Sequence, residues 1–115
     1  MPLNRLAILI ADDLTTVDVP VPEWGGDVRI RSLTGTQREA FGRSLIGADG
    51  KPSGEGYNAK LIAVSVVQED GSLAFTLDDA DELGKKSAPA LERLVDAIET
   101  LNKMKAGAIE AAKGN

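Results

Sequence analysis

The stretch "VPVPEWGGDVRIR", Val19 to Arg31, decides how the chain folds around it. Val17, Val19 and Val21 alternate on its leading side, and Val28 and Ile30 alternate on its trailing side. A period of two marks a strand with one face buried. Gly25 and Gly26 lie between the two runs and can take the positive φ that a tight hairpin turn requires. Residues 16 to 32 therefore read as a β-hairpin. Pro20 and Pro22 cannot donate to a ladder, which puts the first strand at an edge. Trp24, the single tryptophan, stands directly beside the glycines. A large, stiff indole there either closes the apolar face of the hairpin or anchors a partner. The structural role is the expectation, and on it Trp24→Ala costs roughly 3 kcal/mol or more.

Upstream, residues 3 to 14 form a short apolar segment of one or two helical turns that ends at Asp12 and Asp13. Downstream, Thr34 and Gln37 have the spacing of a capping box, and Ala40, Phe41 and Leu45 then share a helical face. Gly47 is a plausible terminator. Residues 47 to 56, "GADGKPSGEG", read as a flexible loop with little to bury. The next segment, from Tyr57 to Thr76, is ambiguous. Its Ile and Val content favours a strand, yet Ala59, Ile62, Ala63, Val66 and Val67 fit a helical stripe that Leu61 and Val64 widen. The helix is the preferred reading for residues 58 to 68. Asp70-Gly71 makes a turn, and "LAF" follows as a short extended piece.

The last third is plainer. Thr76 caps a short acidic turn containing Asp78, Asp79, Asp81 and Glu82, where carboxylates favour the positive end of a helix dipole. Gly84 ends it, and Ser87 caps a long helix with Pro89 in its first turn. Leu91, Leu94, Val95, Ile98 and Leu101 form an apolar stripe, which leaves Glu99 and Lys103 on the solvent face. The expected fold class is α+β: one small domain over residues 1–104, in which an N-terminal β-hairpin packs with three to four α-helices, the last long and amphipathic. Residues 105–115, rich in Ala, Lys and Gly, read as a flexible tail.

Composition excludes several chemistries. The 115 residues include no histidine and no cysteine, so Ser-His and Cys-His catalysis, disulfides and ordinary zinc sites are all out of reach. A net charge of −5 with no basic cluster argues against nucleic acid. No run is long enough to span a bilayer, and the apolar start lacks the basic opening and cleavage site of a leader. Gly54, Gly56 and Ala59 match G-x-G-x-x-A, but "ADGKPS" precedes them where a dinucleotide fold needs a buried strand. The acidic run "DDADE" lacks the central glycine of a calcium loop and has Pro89 where its bidentate glutamate belongs. No catalytic residue, metal site or cofactor is expected, and the chain reads as a soluble cytoplasmic protein rather than an enzyme.

The ordered set of motifs resembles the tail assembly chaperones of long-tailed bacteriophages and prophages. Pro22 to Gly26 match the "PEWGG" corner of that family, Val28 to Arg31 its following strand, and Leu33 to Gly35 its helix start. Asp70-Gly71, Phe75-Thr76, Asp79 and Leu83 to Ser87 follow in the same order, so the likeness spans roughly residues 8 to 102. It implies a non-enzymatic protein, absent from the mature virion, that binds and solubilises the helical tape-measure protein and helps recruit tail tube subunits. Pro22, Glu23, Trp24, Gly25, Gly26 and Phe75 are the partner-binding or motif residues it singles out. It also implies a longer product made by programmed frameshift, through which the tube protein is met; Lys113-Gly114-Asn115 can be encoded by a slippery run. Self-association stays open, as do two other readings: a small structural connector or tail protein, and an acidic adaptor unconnected with phage.

Overall fold

The computed structural model describes residues 1–104; the tail expected over residues 105–115 lies outside them. The fold is α+β, with one antiparallel hairpin and five α-helices among the described residues. Strand β1 (Thr16–Val21) pairs with β2 (Gly26–Arg31) so that Val17 faces Ile30 and Val19 faces Val28. Facing residues share one side of a sheet, and these form its inner side. Val21 and Ile30 are wholly buried and Val19 nearly so, whereas Val17, at the open end, stays 41% exposed. On the outer side Asp18 faces Arg29, whose Nε and Nη2 donate to the carboxylate at 2.8 and 3.2 Å. That contact holds the Asp18 carboxyl below its ordinary range.

The corner differs from the expected two-glycine turn. Pro22–Trp24 form a 3₁₀ turn, and Gly25 closes it at φ +78° with its N–H on the Pro22 carbonyl at 3.1 Å. Among the described residues Gly26 takes no positive φ; it is already the first residue of β2, opposite Val21. A single left-handed residue suffices because the 3₁₀ turn has made most of the reversal.

The ambiguous middle segment contains both structures. Helix α3 runs over Tyr57–Ser65, and the chain then becomes extended, with Val66 bridged to Ile30 and Val67 to Leu73. The sequence signal was mixed because α3 is buried on almost every side, from Tyr57 and Ala59 through Leu61 to Ser65. A helix enclosed all round shows no polar stripe. Its one buried polar side chain, Ser65, donates to the Leu61 carbonyl at 2.8 Å, which removes the penalty of an unpaired hydroxyl. The turn at Asp70-Gly71 forms as expected, with Gly71 at φ +87°.

Helices α2 (Gly35–Ser44) and α5 (Ala88–Leu101) flank α3. The capping box of α2 is present, Thr34 and Gln37 exchanging two bonds of 3.0 Å. Phe41 of α2 meets Tyr57 edge to face, ring centroids 5.5 Å apart. The stripe of α5 buries Leu91, Leu94, Val95 and Ile98, joined by Ala90, and it packs on α3. Leu101 is only half buried. Glu99 is a correction: it is half buried, and its carboxylate accepts a 2.7 Å bond from the Tyr57 hydroxyl. Burial first, and that carboxylate second, push the Tyr57 phenol well above its ordinary range. Asn102 ties the end of α5 to the hairpin by accepting from Leu33 N–H at 2.8 Å while donating to the Ile98 carbonyl at 2.9 Å.

The loop before α3 and the N-terminal segment each take a defined shape. Residues 47–56 are held by Gly47 N–H on the Lys51 carbonyl at 2.8 Å and by Ser53 N–H on the Leu45 carbonyl at 2.6 Å. Two of its glycines serve turns: Gly50 and Gly56 both take positive φ. The apolar N-terminal segment forms α1 (Arg5–Leu9), capped by the Asn4 side chain, and buries none of its residues.

The candidate docking cleft

The short helix α4 (Ala80–Leu83) follows a 3₁₀ turn at Leu77–Asp79 and lies beside the hairpin corner. The Asp79 carboxylate accepts from Thr76 N–H at 2.9 Å and so fixes the entry to that turn. Between these elements opens a cleft of about 460 Å³ lined by Trp24, Phe75, Leu83, Asp79, Glu82 and Lys86. Its walls are apolar and its rim carries charge. Two residues singled out from sequence, Trp24 and Phe75, are thus brought together although fifty positions separate them. Leu83 supplies a further apolar wall and, being buried, continues into the core.

The remaining motif residues act behind the cleft. Pro22 opens the 3₁₀ turn with the φ its ring imposes. Glu23 pairs with Arg93 of α5, whose two terminal nitrogens reach the two carboxylate oxygens at 2.5 and 3.1 Å. A bidentate fork fixes direction as well as distance, so the corner is oriented on the long helix. Arg93, and secondarily the backbone at Glu23, hold the Glu23 carboxyl below its usual range. Gly25 and Gly26 contribute backbone shape alone. Arg93 was invisible in sequence because an arginine on the polar side of an amphipathic helix has no distinguishing spacing.

The cleft offers shape and an apolar surface rather than reaction chemistry. Glu82 on its rim pairs with Lys85 at 3.1 Å, with both side chains largely in solvent. Among the described residues no group of three or more acidic side chains is placed to hold a metal ion, and no helix is long and apolar enough to cross a membrane. Gly54 and Gly56, which matched the nucleotide-type motif, sit in the loop that Gly56 closes onto α3. An apolar cleft with a charged rim is suited to receive a large aliphatic or aromatic side chain from an amphipathic segment.

No protein-family model matches the sequence, and no curated protein sequence matches it. A solved structure does: the bacteriophage HK97 tail assembly chaperone shares the fold with a TM-score of 0.62 over 88% of this chain and 93% of that one. Sequence identity between the two is 19%, so the likeness is one of architecture.

Proposed function

We propose that the chain is a tail assembly chaperone of a long-tailed phage or prophage. On this reading it binds the helical tape-measure protein in the host cytoplasm, keeps it soluble, helps recruit tube subunits, and leaves before the virion is complete. The observation that carries the reading is the fold shared with the HK97 chaperone across nearly the whole of both chains. The Trp24–Phe75 cleft supports it independently, because a protein that covers apolar helical surface needs an apolar receptor. The net charge of −5 adds repulsion between coated clients. No step in this function breaks a covalent bond, and no cofactor enters it. Tube-protein contact is assigned to a longer frameshifted product, a proposal that the codons for Lys113-Gly114-Asn115 test directly.

The deciding experiment co-expresses the chain with the very long helical product of a neighbouring reading frame. A soluble complex, absent when the chain is omitted, is the expected result. An insoluble tape-measure protein in both cases overturns the reading, as does finding the chain in purified particles.

A further inference from the structure

The Trp24–Phe75 cleft has a counterpart farther along the same flank of the molecule. Arg93, Asp96, Ala97 and Thr100 fall at i, i+3, i+4 and i+7 of α5 and so share one face of it. Near the start of that face Arg93 holds Glu23, the chain neighbour of Trp24. Near its end Asp96, Ala97, Thr100 and Leu101 close with Val17 of β1 around a second groove, of about 360 Å³. Its strand-side wall, Val17, is 41% exposed. The seam between α5 and β1 thus has an apolar seat at each end, with the Glu23–Arg93 pair between them. Four strand steps from Val17 to Val21 and the 3₁₀ turn to Trp24 put the seats roughly 18 Å apart.

We propose that one helix of the client lies along this seam and fills both seats, with large apolar residues about eleven positions apart and basic residues beside them. The proposal rests on the chaperone reading and specifies the client segment it requires. The spacing follows from helix geometry: roughly 18 Å is eleven or twelve residues, and of these the eleventh, three turns on, returns to the same face. Charge selects the flanking residues. Asp79 and Glu82 stand at the cleft and Asp96 at the groove, with Glu92 exposed one turn before it. Arg93, the cation on this face of α5, is already taken by Glu23. Lysine and arginine on the client therefore meet unneutralised carboxylates. The backbone favours a helix over a strand as occupant. Among the described residues β2 is the one strand paired with β1, and Val66 bridges Ile30 on the far side. The free edge of β1 carries Pro20, which lacks an N–H, and the charged Asp18, and both features discourage strand addition. Two small seats on one client helix bind jointly more tightly than either alone, yet each contact stays weak enough to be released in turn.

Photo-crosslinking in the co-expressed complex tests it. The full chain carries p-benzoylphenylalanine in place of both Lys86, on the cleft rim, and Thr100, in the groove; each position is exposed and safe for folding. The expected result is a pair of crosslinks on one client peptide, ten to twelve positions apart. Thr100→Arg fills the groove and opposes the client's basic residues, so it melts as the wild type does and lowers client affinity at least tenfold; Asp96→Lys, on the exposed rim, serves if Thr100→Arg does not fold. Crosslinks to the client from position 86 alone overturn the second seat and leave the chaperone reading standing. So do crosslinks from position 100 to its own chain or to another copy of it, a pair of client sites with no fixed spacing, or a Thr100→Arg variant that binds the client as tightly as the wild type. A client that stays insoluble with the wild-type chain overturns the chaperone reading and this register with it.

Discussion

Trp24→Ala separates the two uses of the indole. A fully enclosed Trp or Phe truncated to Ala costs about 3–5 kcal/mol, part of it for the cavity left behind. Trp24 is 38% exposed, and the space it vacates is continuous with the cleft, so water fills it and no dry cavity remains. The expected loss is about 2 kcal/mol, less than the sequence alone implied, and it lowers the melting temperature by roughly 10 °C. Urea unfolding followed by far-UV circular dichroism measures it. Affinity for the tape-measure protein is then compared at about 10 °C, where both proteins are folded, and falls at least tenfold if the cleft is the receptor, as expected for a buried aromatic anchor. Unchanged stability refutes the packing of the indole on the corner. A normal loss of stability with unchanged affinity refutes the cleft as the docking site.

Ile98→Ala removes a wholly buried side chain from the α3–α5 contact and should cost about 3–4 kcal/mol, while Asp96→Ala on the exposed side of the same helix stays within about 0.5 kcal/mol; chemical denaturation of the pair checks both. Tyr57→Phe leaves the ring in place and removes the bond to Glu99, for about 1 kcal/mol at neutral pH. Since the folded phenol titrates above the unfolded one, its contribution is complete below pH about 10 and declines as pH rises toward the folded value. Tyr57→Phe should abolish that alkaline decline. Lys103 sits at φ +57° just beyond α5, so Lys103→Gly should stabilise the chain by about 0.5–1 kcal/mol, read as a rise in melting temperature.

The elements legible in the sequence were those with one buried and one solvated face. The hairpin alternates because its outer side carries Asp18 and Arg29, and α5 shows its stripe because Glu92, Arg93 and Asp96 stay in water. Where both faces are covered, as in α3, hydropathy lost its period and helix and strand became hard to tell apart. Tertiary polar contacts were hidden altogether. Glu99 bonding Tyr57, Asn102 bonding Leu33 and Arg93 bonding Glu23 span 42, 69 and 70 positions. Half of the cleft was readable through Trp24 and Phe75, whereas its acidic rim looked like an ordinary solvated helix start.

The corner gives the sharpest test, because its two glycines look alike in sequence and differ in the fold. Gly25 lies at φ +78°, where any Cβ crowds the backbone, although no neighbouring atom lies within 4 Å of that position. Gly25→Ala therefore costs about 1–2 kcal/mol from the left-handed backbone alone. Gly26 has no positive φ, and a Cβ there also meets nothing within 4 Å. Gly26→Ala narrows the unfolded ensemble without straining the strand, so it should be neutral or raise stability by about 0.4–1 kcal/mol. Since neither change adds bulk to the core, packing cannot account for a difference between them. Thermal melts of the two variants should move in opposite directions, or one should move while the other stays. Equal losses would mean that the reversal is a two-glycine turn after all, and Trp24 would then not be held by a 3₁₀ turn at the mouth of the cleft.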